Sequence, residues 1–96
     1  MRIGVPKEIK VHEYRVGLTP GSVRELVAHG HSVVVETGLG TGIGCDDERY
    51  RTAGAQVVDS AEEAWRRAEL IVKVKEPQPA EIRWLHEGQV LFAYLH

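Results

Sequence analysis

Three side chains in this 96-residue sequence have the chemistry to bind and protonate a small carboxylic acid. Arg15 lies in a polar segment, and Lys75 and His96 each end an apolar run that predicts a β-strand. A guanidinium binds a carboxylate through two parallel hydrogen bonds, and an ammonium group adds a compact positive charge beside it. An imidazole, with an unperturbed pKa of about 6.5, can exchange a proton near neutral pH. The combination favours an anionic small molecule as the ligand.

Each of these residues also has an ordinary structural interpretation. Arg15 could be a solvated charge in a loop, and His96 could be an inert residue at the end of the sequence. Lys75 could be a common strand-end lysine, because Lys73 precedes it by two positions. The residue types alone therefore leave the function open.

The elements that must position these residues alternate between strands and helices. Strands are predicted at 2–6, 31–37, 55–59, 70–75 and 89–96. Helices are predicted at 19–30, 46–54 and 60–69, with one or two helical turns within 77–88. The strands are almost continuously apolar, which is typical of a parallel sheet covered on both faces. We therefore expect an α/β fold, a doubly wound and mainly parallel five-stranded sheet that resembles half of a flavodoxin or Rossmann fold.

The predicted fold brings the polar residues to one edge, because ligands of doubly wound sheets bind beyond the carboxyl ends of the strands. A loop at 7–19 follows the first strand, and loops of this length are usually functional or disordered. Its polar residues are Lys7, Glu8, Lys10, His12, Glu13 and Arg15. Lys75 and His96 lie at the ends of the fourth and fifth predicted strands. We expect Arg15, Lys75 and His96 to meet at this edge.

A glycine-rich segment, "ETGLGTGIGCDD" at 36–47, raises the question of a phosphate-binding loop. The dinucleotide fingerprint G-x-G-x-x-G fails in every register, because the glycines of 38–44 occupy alternate positions. Asp59 does resemble the acid that binds a ribose. However, Asp46, Asp47 and Glu48 start the next helix, where they complement its dipole and would repel a phosphate. The sequence favours a flexible turn over a nucleotide site.

Composition excludes several other classes of function. The chain is 43% hydrophobic and 27% charged with a net charge of −2, which indicates a soluble globular protein without a basic surface for nucleic acid. Its apolar runs are too short to span a membrane, and no signal peptide is visible. The single cysteine, Cys45, allows no internal disulfide and fits a cytoplasmic location. The five histidines lack the spacing of a metal site.

Four segments carry a resemblance to a known family. They are "MRIGVPKEIKVHEYRVGLTP", "VVVETGLGTGIGCDDERYRTAGA", "IVKVKEP" and "LFAYLH". In this order and spacing they resemble the N-terminal part of alanine dehydrogenases. The N-terminal domain of the transhydrogenase alpha subunit and, more distantly, saccharopine-type dehydrogenases are related. "KVKEP" followed by "YLH" favours alanine dehydrogenase over transhydrogenase.

The resemblance implies a two-domain enzyme that uses NAD to interconvert L-alanine with pyruvate and ammonia. Residues 1–96 would form one domain, the N-terminal segment of the substrate-binding domain, without the NAD-binding domain. By motif, Arg15 would bind the substrate carboxylate, and Lys75 the carboxylate or carbonyl oxygen. His96 would be the catalytic proton donor and acceptor, with Lys75 as its catalytic partner.

The same resemblance sets expectations for cofactors and partners. The parent enzyme would use NAD and form a homo-oligomer, with pyruvate and L-alanine as its small-molecule substrates and with neither nucleic acid nor a membrane as partner. The 96 residues alone would bind neither NAD nor a metal and would lack turnover. The alternative is a stand-alone α/β domain that binds small carboxylates or self-associates without catalysis.

Overall fold

The computed structural model describes residues 1–94. Its strands are β1 (Arg2–Val5), β2 (Ser32–Glu36), β3 (Gln56–Val58), β4 (Leu70–Lys73) and β5 (Val90–Ala93). Its helices are α1 (Pro20–Ala28), α2 (Asp47–Thr52), α3 (Ala61–Arg67) and α4 (Pro79–Ile82), with a short 3₁₀ turn at Thr41–Ile43. The predicted alternation of strands and helices is confirmed, and the predicted loop at 7–19 contains no helix or strand.

All five strands form one parallel sheet in the order β3-β2-β1-β4-β5. The chain thus builds outward from β1 to β3, then returns to the other side of β1 and adds β4 and β5. This is the doubly wound arrangement, and it confirms the predicted fold class. The direction of winding reverses between β1 and β4, so the loops that follow these two strands diverge and leave a crevice at their carboxyl ends.

Two layers of helices cover the central strands. On one face, α1 packs over β2 and α2 packs beside β3, and Val23 and Tyr50 are completely buried in the core there. On the other face, α3 packs over β1 and β2 and buries Trp65. The helix approaches so closely at Gly4 that a Cβ there would lie 2.6 Å from the carbonyl oxygen of Ala64. Burial on both faces explains the almost unbroken apolar sequence of β1, β2 and β4.

Local sequence determines where the helices begin. The hydroxyl of Thr19 accepts a hydrogen bond from the backbone N–H of Ser22, and Pro20 occupies the first helical position of α1. The hydroxyl of Ser60 caps α3 in the same way, through the N–H of Glu63. Within residues 1–94, no helix has the length and apolar composition needed to cross a membrane.

Candidate functional site

Two of the predicted site residues, Arg15 and Lys75, lie at the crevice between β1 and β4. Arg15 belongs to the loop that follows β1, and Lys75 lies two residues beyond the end of β4. A cleft of about 420 Å³ opens between this loop, from Lys7 to Arg15, and the turn from Leu39 to Gly42. The location agrees with the expectation that the functional edge lies beyond the carboxyl ends of the strands.

Arg15 is bound to a carboxylate of its own loop. Its Nε donates to Glu13 Oε2 at 2.9 Å, its Nη2 donates to Glu13 Oε1 at 2.8 Å, and its backbone N–H also donates to Oε2. The Glu13 side chain is 4% exposed, whereas that of Arg15 is 68% exposed. The buried carboxylate therefore holds one edge of an exposed guanidinium, and Arg15 is not a freely solvated loop charge.

Lys75 approaches the same carboxylate. Its Nζ lies 4.0 Å from Glu13 Oε1, the oxygen that also accepts from Arg15 Nη2, and its side chain is 18% exposed. The structure thus brings two of the three predicted site residues together around one acid. The third, His96, lies outside the described residues.

The charges of this group are strongly coupled. The hydrogen bonds from Arg15, supported by the nearby charges of Arg15 and Lys75, lower the pKa of Glu13 from 4.5 to about 2 despite its burial. In return, the hydrogen bond and charge of Glu13 raise the pKa of Arg15. Glu13 and Arg15 are therefore ionised at neutral pH, and with the formal charge of Lys75 the group carries one net positive charge.

A second ionic cluster is buried in the core near this site. Lys73 Nζ is 3.0 Å from Glu8 Oε1 and 3.5 Å from Glu81 Oε2, and the three side chains are 0%, 2% and 1% exposed. A charge buried this deeply must be paired, because transfer of an isolated ion from water costs several kcal/mol or more. Lys73 is therefore a structural residue of the core and not a solvated neighbour of Lys75.

Glu8 also holds the backbone that carries Lys75. Its Oε2 accepts the N–H of Val74 at 3.0 Å, and its Oε1 accepts the N–H of Lys75 at 3.2 Å. The carboxylate replaces a neighbouring strand at the point where β1 and β4 part. In the sequence, Glu8 and Glu13 are recognisable only as polar loop residues, and Lys73 has no predicted role. The sequence signal that pointed to a buried ion pair was the position of Lys73 within the apolar run of a strand covered on both faces.

The glycine-rich turn is closed by its own hydrogen bonds. The N–H groups of Gly38, Thr41, Ile43 and Cys45 donate within the turn or to Asp47, whose carboxylate also accepts the Thr37 hydroxyl. A phosphate would have to displace these bonds and face an acid already in place. The geometry supports the prediction of a turn and disfavours a dinucleotide cradle. Across the part of the chain that the structure describes, no cluster of three metal-ligating side chains is present.

Comparisons with known proteins agree on one family. The family model "Alanine dehydrogenase/PNT, N-terminal domain" matches residues 4–96. The alanine dehydrogenase of Bacillus subtilis (strain 168) is 52% identical over all 96 residues, and that of Halomonas elongata is 53% identical over the same length. Among solved structures, an L-alanine dehydrogenase superposes with a TM-score of 0.95 at 59% identity and covers 100% of the chain.

A transhydrogenase from Sinorhizobium meliloti also shares the fold, with a TM-score of 0.91 at 34% identity over 99% of the chain. The chain covers 25% and 26% of the two curated relatives, and 26% and 27% of the two solved chains. It therefore spans about a quarter of the length of the proteins it matches.

Proposed function

Because the chain belongs to the family of alanine dehydrogenase/PNT N-terminal domains, we propose that it is the N-terminal segment of the substrate-binding domain of an NAD-dependent L-alanine dehydrogenase. The reaction is the interconversion of L-alanine, NAD+ and water with pyruvate, ammonium, NADH and a proton. The identity to alanine dehydrogenases, above 50% in two curated relatives, supports this choice over the transhydrogenase, at 34%.

The observation that carries the proposal is the pairing of Arg15 and Lys75 around Glu13. An Arg–Lys pair can neutralise a 2-oxo acid's carboxylate and fix its orientation, so that its carbonyl carbon presents one face to the hydride donor. Arg15 binds the carboxylate through its exposed edge, and Lys75 binds the carboxylate or the carbonyl oxygen. Lys75 also stabilises the negative charge that grows on that oxygen during reduction.

His96 is proposed as the proton donor and acceptor at the substrate oxygen or nitrogen. This role rests on the "YLH" motif, because the residue lies outside the described part of the chain. Protonation of the carbinolamine oxygen favours loss of water, and an imidazole can deliver that proton near neutral pH.

NAD supplies the hydride in this reaction, and the glycine-rich turn of this chain does not fit its pyrophosphate. The N–H groups of Gly38, Thr41 and Ile43 are already hydrogen-bonded in this turn or to Asp47, and Asp46 and Asp47 lie at the start of α2. We therefore propose that the cofactor is bound by another domain of the parent enzyme, while this chain binds and orients the substrate. A cytoplasmic homo-oligomer remains a prediction from the resemblance, which sedimentation of the complete protein would test.

The function is tested by joining this chain to the remainder of the Bacillus subtilis alanine dehydrogenase in place of the segment it matches. The chimera should oxidise NADH with pyruvate and ammonium, whereas the 96 residues alone should show no turnover. Lys75→Met should abolish most of the chimera's activity, and Lys10→Met, a matched change at an exposed lysine of the site loop, should not. An inactive but folded and NADH-binding chimera would contradict the proposal, and turnover by the isolated chain would contradict the need for a second domain.

A further inference from the structure

The least expected feature of the site is a carboxylate placed between the two cations that should bind a carboxylate. Glu13 accepts hydrogen bonds from Nε and Nη2, one edge of the Arg15 guanidinium, and its Oε1 lies 4.0 Å from Lys75 Nζ. Among residues 1–94, no partner is seen for Arg15 Nη1. The adjacent edge, formed by Nη1 and the second N–H of Nη2, therefore remains available for a second carboxylate. A guanidinium can bind two carboxylates on neighbouring edges because its five N–H donors lie in one plane.

We propose that Glu13 is a specificity-determining residue that restricts this site to monocarboxylates. The inference rests on the proposed function. Glu13 lowers the local charge from two positive charges to one, which a single carboxylate neutralises. A dicarboxylate of similar size would bring a second negative charge toward the buried carboxylate and would leave that charge without a partner.

Most other charges near the cleft are held in ion pairs. Glu8 and Glu81 share the buried Lys73, which leaves one formal negative charge in the core. Lys10 is paired with Glu76 at 2.9 Å. Lys7 lies on the opposite side of the cleft, where its Nζ is beside the backbone of the glycine-rich turn. The charge that faces a ligand on Arg15 is therefore set mainly by the group of Arg15, Lys75 and Glu13.

Glu13 has a second effect, on orientation. Arg15 is largely exposed and would otherwise sample many rotamers, at a cost in entropy when a ligand orders it. Two hydrogen bonds to Glu13 fix the guanidinium in advance, and a third, from the backbone N–H of Arg15, holds the residue on the same carboxylate. Charge and orientation can be separated, because Glu13→Gln removes the charge but keeps an acceptor, whereas Glu13→Ala removes both.

The experiment compares two isosteric analogues of pyruvate, oxamate and oxalate, which differ by one negative charge. Their Kd values are measured by calorimetry on the complete protein that contains the chain, with NADH present. The wild type should prefer oxamate. Glu13→Gln should shift the ratio of the two Kd values toward oxalate by about tenfold, since one nearby charge is removed. Glu13→Ala should give the same shift and weaken both ligands.

Glu76→Gln is the matched control, because it removes the same charge from another lysine-paired glutamate, one that lies outside the Arg15 group. Its ratio should equal that of the wild type. A Glu13→Gln ratio within about twofold of wild type, or an equal shift in Glu76→Gln, would overturn the inference while pyruvate binding still upheld the proposed function. A wild-type protein that binds neither pyruvate nor oxamate would refute both.

Discussion

Replacement of Lys73 by methionine tests whether the buried ionic cluster supports the fold. Methionine retains most of the lysine volume, so the main loss is electrostatic. The change removes contacts of 3.0 Å to Glu8 and 3.5 Å to Glu81 and leaves two buried carboxylates without their cation. Breaking a buried pair by removing one partner typically costs about 3–5 kcal/mol, a large share of the roughly 5–15 kcal/mol that stabilises a domain.

The assay is urea unfolding at pH 7, with Lys10→Met as the matched control. Lys10 and Glu76 form an ion pair of nearly the same length, 2.9 Å, but their side chains are 43% and 49% exposed. That pair should contribute about 0–1 kcal/mol, because water and entropy offset its attraction. If the two variants lose free energies of unfolding that agree within about 1 kcal/mol, and the denaturant slope m is unchanged, the reasoning is refuted. If K73M does not fold while K10M does, E81Q provides a milder test, with a loss between the two.

Three further predictions concern the fold and its response to pH. Gly4→Ala should destabilise the protein by about 1–3 kcal/mol, since the new Cβ would meet α3, whereas Gly21→Ala, with open space in α1, should stabilise it by up to about 1 kcal/mol in thermal melts. Tyr50→Phe should cost about 1–2 kcal/mol, because the buried hydroxyl donates to the Leu18 carbonyl at 2.9 Å, and ultraviolet titration of the wild type should place the pKa of Tyr50 at about 12. The pKa of Glu13 is about 2 in the fold against 4.5 unperturbed, so its ion pair should stabilise the protein above pH 4.5 and be lost as the pH falls toward 2. The free energy of unfolding measured at pH 5 and at pH 3 should therefore differ less in Glu13→Gln than in the wild type.

Local sequence predicted what depends on neighbouring residues. The start of α1 follows from Thr19 and Pro20. The parallel sheet follows from the apolar strands that alternate with the helices. The proximity of Arg15 and Lys75 followed from one general rule, that parallel strands present their carboxyl ends at the same edge. Strand order was not predictable, because it depends on pairings between segments far apart in the sequence.

The end of β4 shows what a linear pattern cannot contain. The apolar run "LIVKVK" predicted a strand to residue 75, yet β4 ends at Lys73. The N–H groups of Val74 and Lys75 donate to the side chain of Glu8, 66 and 67 residues earlier, in place of a neighbouring strand. Sequence periodicity registers which residues are apolar but not which distant carboxylate will accept their backbone hydrogen bonds.

Lys73 and Lys75 are two positions apart in the sequence but differ in burial, and this difference separates a structural lysine from a proposed substrate-binding one. Lys73 is the last residue of β4 and Lys75 lies two residues beyond it, where the strand has ended. Lys73 meets Glu8 and Glu81 and is fully buried, whereas Lys75 reaches Glu13 at the rim of the cleft. Because Glu8 pairs with the Lys73 ammonium and also accepts the backbone N–H of Lys75, the buried ion pair fixes the position of Lys75. The core thus holds Lys75, a proposed carboxylate-binding residue, in place beyond the end of β4, because Glu8 accepts the backbone hydrogen bonds that a neighbouring strand would otherwise accept.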